Sequence, residues 1–198
     1  MTDTIFQIAI LIMSVVVHEA SHGFMARRLG DRTAEYAGRL TLNPIRHIDL
    51  WGSVIVPLIL AISKAGFIIG WAKPVPVNPY NLRNQRWGEA MVAVAGPASN
   101  VFLAVVFGLL LRFGFIPSSA VLAVGAIVAI NLILAVFNLV PIPPLDGSKI
   151  LFALLPPRFF HIRETLERYG LIFAVIFILF LWQFVSPLVG WLFQLIIG

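Results

Sequence analysis

Residues 4–24 read TIFQIAILIMSVVVHEASHGF, an apolar run of bilayer length that carries His18, Glu19 and His22 near its far end. About 20 mostly apolar residues cross a hydrocarbon core ~30 Å thick, so the run reads as a transmembrane helix. On a helix, two histidines at i and i+4 share one face. Each can aim a ring nitrogen at the same Zn²⁺, and the glutamate between them is available as a general base. Two imidazoles and a carboxylate inside such a segment are costly, and they persist where they face a bundle interior and act there. In a soluble helix the same residues would be a weak signal, because chance matches to His-Glu-x-x-His are common. The membrane setting favours the metal reading.

Composition points to the same solvent. Of 198 residues, 60% are hydrophobic and 12% charged, against about a quarter charged in a soluble domain. Mean hydropathy is +0.95. Further apolar segments run over 52–71, 87–111, 119–140 and 169–197. A cleaved secretory leader is not expected, since acidic Asp3 stands where a positive region belongs and the run carries the metal-type motif. The net charge of +5 lies in loops between apolar runs, which suits anionic lipid headgroups and gives no case for nucleic acid. Without cysteine, any metal must be held by His, Asp or Glu. No repeat or linker divides the chain, so 1–198 reads as a single membrane-embedded domain.

Connectors 25–50, 72–89 and 149–168 hold five, three and four of the 14 Lys and Arg residues. The positive-inside rule places all three on the cytoplasmic side. Segment 52–71 must then enter and leave on one side. The expected fold is an all-α polytopic membrane protein with about four full transmembrane helices plus a re-entrant hydrophobic hairpin at 51–71, its tip at Ser63-Lys64-Ala65-Gly66. Lys64 at depth speaks for the alternative, an ordinary span. Polarity alternates loosely from Glu35 to Leu42, which reads as short surface strands at 35–42. Lys73-Pro74-Val75-Pro76-Val77-Asn78-Pro79 cannot be helical and reads as an extended, ordered loop. Residues 156–168 read as a polar connector with a short amphipathic helix, and Ser186-Pro187 as a kink or break in the last segment.

A catalytic zinc site takes three protein ligands and leaves one position open. Candidates for the third are Glu35, His47, Asp49, Glu89, Asp146 and His161. Asp146 is favoured by its setting: the helix ending at Asn138 unwinds at Pro141, Pro143 and Pro144 before presenting Asp146 and Gly147. Unwound backbone beside a carboxylate at membrane depth lines a cavity or a site. The competing role is an N-cap for a helix beginning at Ser148. His47 reads as a surface or supporting residue, His161 as solvated, and Trp182 and Trp191 as interfacial anchors.

Three segments occur in order: His18-Glu19-Ala20-Ser21-His22, Ala95-Gly96-Pro97-Ala98-Ser99-Asn100, and Phe137-Asn138 through Leu145-Asp146-Gly147. Together they resemble the signature of the site-2 protease family of intramembrane zinc metalloproteases. The resemblance implies one Zn²⁺ held by His18, His22 and Asp146, with Glu19 as catalytic base, and a substrate chain held by Asn100 and Asn138. It implies transmembrane protein substrates, a multi-pass location in the lipid bilayer of the cell (plasma) membrane, and a site toward the cytoplasmic side. The chain departs from larger members in having no room for a PDZ or CBS domain and looks like a compact member, with an expected catalytic core at 4–155 and a C-terminal helical segment at 169–197. Read from the residues alone, Asn100 serves equally as an interhelical hydrogen-bonding group, Asn138 beside the unwound turn slightly favours the substrate role, and Asn131 reads as interhelical bonding. Two other functions stay open: a metal or proton transporter with a buried His/Asp relay, and an inactive homologue that binds transmembrane helices. Glu19 argues against a transporter, which needs no base beside a ligand.

Overall fold

Hydrocarbon offers no partner to a backbone N–H or C=O, so an apolar segment that crosses it closes its hydrogen bonds within a helix. A computed structural model, describing residues 2–56, 59, 62–63, 71–156 and 160–198, follows this rule; no strand occurs among the described residues. The helices are α1 (Thr2–Arg28), α2 (Thr33–Tyr36), α3 (Gln85–Arg112), α4 (Val121–Asn138), α5 (Asp146–Leu154), α6 (Phe160–Ile176) and α7 (Trp182–Ile197). Among the described residues, four segments are long and apolar enough to cross a membrane: Ile5–Arg28, Arg86–Arg112, Ser118–Asn138 and His161–Ile197.

Helix α3 is the centre of the bundle and packs on α1, α4, α5 and α7. Buried alanines, Ala20 on α1, Ala93 and Ala104 on α3 and Ala135 on α4, keep the interior faces small, which lets helix backbones approach without any hydrophobic driving force between them. Ala104, Val128, Leu132 and Val189 form one core cluster, ringed by Phe107, Trp182 and Ile196.

The last segment differs from expectation. Polar residues near 161–168 and the apolar tail form one rod, His161–Ile197, of 37 residues. At 1.5 Å per residue such a rod is about 55 Å long, well beyond a ~30 Å core, so its polar first turns extend past the hydrocarbon. There Arg163 pairs with Glu89 at 3.2 Å and Glu167 at 2.8 Å. Pro187 does not end the helix but lies inside α7, where Ser186 Oγ bonds Gln183 O at 3.4 Å and compensates the missing proline N–H. The irregularity falls earlier, in a wide turn at Phe177–Leu181. Phe137, Phe177 and Trp182 pack around it, with ring centroids 5.8–6.3 Å apart.

Strands expected at 35–42 are replaced by α2 and turns. The local alternation is overruled by an Asx turn at one end and a left-handed glycine at the other. Asp31 Oδ1 accepts the Thr33 N–H at 3.0 Å and starts the helix, and Gly38 (φ 64°) ends it as Arg39 N bonds back to Ala34 O at 2.9 Å. Most of the hairpin expected at 51–71 lies outside the described residues. Its two ends are joined: Trp71 N bonds Gly52 O at 3.0 Å and Ser53 Oγ bonds Trp71 O at 2.9 Å. The Pro-rich stretch is extended, as its prolines require, until a single turn at Pro79–Asn81.

One buried carboxylate ties this stretch to the end of α1. Gly30 (φ 112°) closes α1, with Asp31 N bonding Ala26 O at 2.9 Å and Gly30 N bonding Arg27 O at 3.1 Å. The turn delivers Asp31, 0% exposed, to the N–H of Asn78 at 2.7 Å and Asn81 Nδ2 at 3.0 Å. Burial alone would raise the Asp31 carboxyl; hydrogen bonds from Thr33, Asn81 and Asn78 outweigh it and hold the pKa below the ordinary value. A carboxyl depressed by folding stabilises the native state above its unfolded pKa of about 3.9, and the contribution is lost as pH falls through the folded value. Thermal unfolding of the detergent-solubilised chain should therefore show acid destabilisation below about pH 4 that Asp31→Asn weakens. At neutral pH the same substitution should cost about 1–3 kcal/mol. Identical melting curves for the two chains would show that Asp31 does not clasp the loop.

Candidate active site

Helical spacing puts His18, Glu19 and His22 on adjoining turns of α1, and the first turn of α5 brings Asp146 against them. His18 Nε2 and His22 Nε2 each lie 3.1 Å from Asp146 Oδ2. All three side chains are buried, and one ligand atom from each falls within 4.8 Å of the others. Three nitrogen and oxygen donors about 2.0–2.1 Å from a tetrahedral ion would stand about 3.3 Å apart, close to the observed separations.

The far side of each imidazole decides whether those nitrogens can bind a metal. His22 Nδ1 sits 2.7 Å from Val92 O, and His18 Nδ1 sits 2.6 Å from Asn100 Oδ1. A carbonyl oxygen only accepts, so each Nδ1 carries a proton, and in the neutral ring Nε2 is then the atom whose lone pair is available to a metal. This outer hydrogen bond is the usual support of a metal-binding histidine. The donor set fits a zinc-type ion.

Asp146 is not the cap of its helix: Leu145 holds the N-cap position, and the Asp146 carboxylate, in the first turn, faces the imidazoles. Gly147 makes that placement possible, because a Cβ there would run into the carbonyl oxygens of Leu139 and Val140. Only a residue without a side chain lets α5 begin so close to the end of α4. Lys149, one turn on, brings Nζ to 4.0 Å from Asp146 Oδ1.

Glu19 Oε2 accepts the backbone N–H of Val75 at 2.9 Å, so the Pro-rich stretch orients the candidate base. A cavity of about 280 Å³ opens at this point, lined by His18, Glu19, His22, Asp146, Asn138 and Lys149 together with Pro74, Val75 and Val77. Asn138 is therefore at the cavity wall, its Nδ2 turned to Leu134 O at 2.9 Å. Asn100 is elsewhere. It is 0% exposed, with Oδ1 on His18 and Nδ2 on Asn131 Oδ1 (2.8 Å) and Ser14 O (3.3 Å). Both of its amide hydrogens are thus engaged within the bundle, and its Oδ1 faces His18. His47 is buried on Thr41 O at 2.9 Å, outside the ligand group, and His161 is exposed.

Sequence reasoning missed Val75, Lys149 and the closeness of Gly96. A Cβ at Gly96 would stand 2.5 Å from His22 Nε2 and 2.6 Å from His18 Nε2. The spacing Gly-Pro-x-x-Asn, which sets Gly96 one turn before Asn100 on the same face of α3, carried that signal.

A polytopic helical bundle with a buried His–His–Asp group and a glutamate beside it has the make-up of a membrane-embedded metallohydrolase. Comparison with known proteins narrows the class. The model of peptidase family M50 matches residues 6–120 and 114–182. "Putative zinc metalloprotease YwhC" of Bacillus subtilis is 38% identical over 187 residues, covering 90% of this chain and 79% of that one. Rip2 of Mycobacterium tuberculosis strain H37Rv, which bears the same description, is 34% identical over 191 residues, with 93% and 69% covered. MJ0611 of Methanocaldococcus jannaschii, also so described, is 49% identical over 157 residues, with 74% and 72% covered. No solved structure matches. The chain belongs to peptidase family M50, the site-2 protease family of membrane metalloproteases.

Because the ring nitrogens converge on the bare face of Gly96, Gly96→Ala should drive them apart and weaken metal binding by about 10–100-fold, the range seen when a ligand's support is disturbed. Gly125, which has open space beside it, supplies the control: Gly125→Ala should leave metal content unchanged. Elemental analysis of the purified chains checks both, and normal metal content in Gly96→Ala would rule out so close a wall.

Proposed function

We propose that this M50 protein is an intramembrane zinc endopeptidase that hydrolyses peptide bonds in or near the transmembrane segments of other membrane proteins. The observation that carries the proposal is the setting of Glu19, beside a buried His–His–Asp group whose imidazoles both turn Nε2 to Asp146 and Nδ1 to a carbonyl oxygen. In this scheme His18, His22 and Asp146 hold one Zn²⁺. The ion, when bound, supplies the Lewis acidity that makes water nucleophilic near neutral pH and polarises a carbonyl. Glu19, aimed by the Val75 N–H, takes the proton from the attacking water and passes it to the leaving amine. Asn138 bonds the backbone of an unwound substrate from the cavity wall. Asn100 serves the site from behind, as a partner of His18.

The whole of 1–198 is taken as one membrane-embedded unit, with the catalytic core at 4–155 and the helical segment 169–197 completing the bundle. The cavity is assigned to the cytoplasmic side of the cell membrane, because the basic residues Arg27 and Arg28 end α1 about one to three turns beyond the histidines. Segment 51–71 is assigned as re-entrant. The joining of Gly52 to Trp71 supports that assignment, since a segment whose two ends share hydrogen bonds has returned to the depth at which it began.

Reconstituted protein and a model transmembrane substrate test the proposal. Glu19→Gln should lower cleavage by about 10²–10⁴-fold while one zinc per chain remains bound. Chelation should abolish cleavage in the wild type and added zinc should restore it. Full cleavage by Glu19→Gln would end the protease assignment; metal flux across the vesicles in its place would favour transport.

A further inference from the structure

The hydrogen bonds behind His18 run on through three helices and have a fixed direction. We propose that Asn131 is a positioning residue of the metal site: it sets the orientation of the Asn100 amide and, through it, the protonation tautomer of His18. The proposal rests on the zinc assignment above and adds a residue from α4 that touches neither the cavity nor the ligand group.

The direction originates at a main-chain carbonyl. Ile127 O can only accept, and Asn131 Nδ2 donates to it at 2.9 Å and to Ser14 Oγ at 3.0 Å. Both amide hydrogens of Asn131 are thereby spent, so its Oδ1 is the atom facing Asn100. Asn100 Nδ2 donates to that oxygen at 2.8 Å and to the carbonyl of Ser14 at 3.3 Å. Its own Oδ1 must then face His18, where it can only accept, and His18 Nδ1 must carry the proton. In the neutral ring that leaves Nε2, 3.1 Å from Asp146 Oδ2, as the nitrogen able to bind a metal.

Each member is shielded from solvent: Ser14 is 4% exposed, and Asn100 and Asn131 are both 0%. No water competes to re-orient an amide, so the order of donors and acceptors along the chain is enforced by the chain alone. His22 needs no such relay, because its Nδ1 meets the carbonyl of Val92 directly. His18 faces a side-chain amide, which could present either end. Without Asn131 the Asn100 amide keeps only the longer contact to Ser14 O to hold its polarity.

Interhelical glue and tautomer control predict different couplings between positions 100 and 131. Asn131→Leu should weaken zinc binding by the detergent-solubilised full chain about 10–100-fold, measured by chelator competition. In an Asn100→Asp background the group at 100 accepts through either oxygen and cannot turn a donor to His18. There, Asn131→Leu should change zinc affinity by less than about twofold, because a polarity relay has nothing left to set. Equal losses in both backgrounds, or no loss in the first, overturn the relay and leave Asn131 as packing. Asn131→Ala serves in both backgrounds should Asn131→Leu fail to fold. A wild-type chain that takes up no zinc, or whose uptake His18→Ala leaves unchanged, overturns the metal assignment and the relay with it.

Discussion

In a water-poor interior a polar atom can be satisfied only by another polar atom of the chain, and that constraint organises this bundle. Asp146 faces the Nε2 atoms of two imidazoles, and each imidazole is held by a carbonyl oxygen on its other side. The bonds that prepare the ligands also join α1 to α3 and, through Asn131, to α4. Magnitudes show what such a network is for. A hydrogen bond between membrane helices averages roughly 0.6 kcal/mol net, whereas a buried polar group left without a partner costs about 1–3 kcal/mol. The network therefore adds modestly to stability and penalises every other arrangement of the same side chains. It specifies order more than strength.

The sequence was most legible where one physical rule acted alone. Apolar length gave the spans, the i, i+4 spacing gave the His18–His22 face, and the prolines between Val140 and Leu145 marked where α4 unwinds to present Asp146. Where two rules competed, local pattern lost. Alternation at 35–42 favoured strands, yet the Asp31 Asx turn and Gly38 closed a helical turn over it. Asp31 itself went unnoticed because an aspartate in an Arg-rich connector looks solvated. The signal was there in Gly30-Asp31-Arg32-Thr33, a helix-ending glycine followed by an Asx turn. Asn100 was legible as polar and buried, but an amide has a donor end and an acceptor end, and no sequence pattern tells which faces a neighbour. Contacts made by backbone, such as Val75 N with Glu19, depend on the register of a loop and leave no side-chain trace.

That register has its own logic. Along the extended stretch, Trp71, Lys73 and Val75 donate their N–H groups to Gly52 O, His47 O and Glu19 Oε2 in turn. Successive donors are two residues apart, the period of an extended chain whose alternate residues face opposite sides. Pro74 and Pro76 occupy positions between and beside these donors, where an N–H would point the other way, so their missing donors cost the site nothing. They also forbid helix and bias each preceding residue to extended backbone. A slip by one residue in either direction would turn a proline toward Glu19, and a proline has no N–H to give. The Pro-Val-Pro triplet thus forbids the one-residue slips on either side of the alignment that holds the base. Asp31, bonded to Asn78 three residues further on, anchors that alignment from the other end.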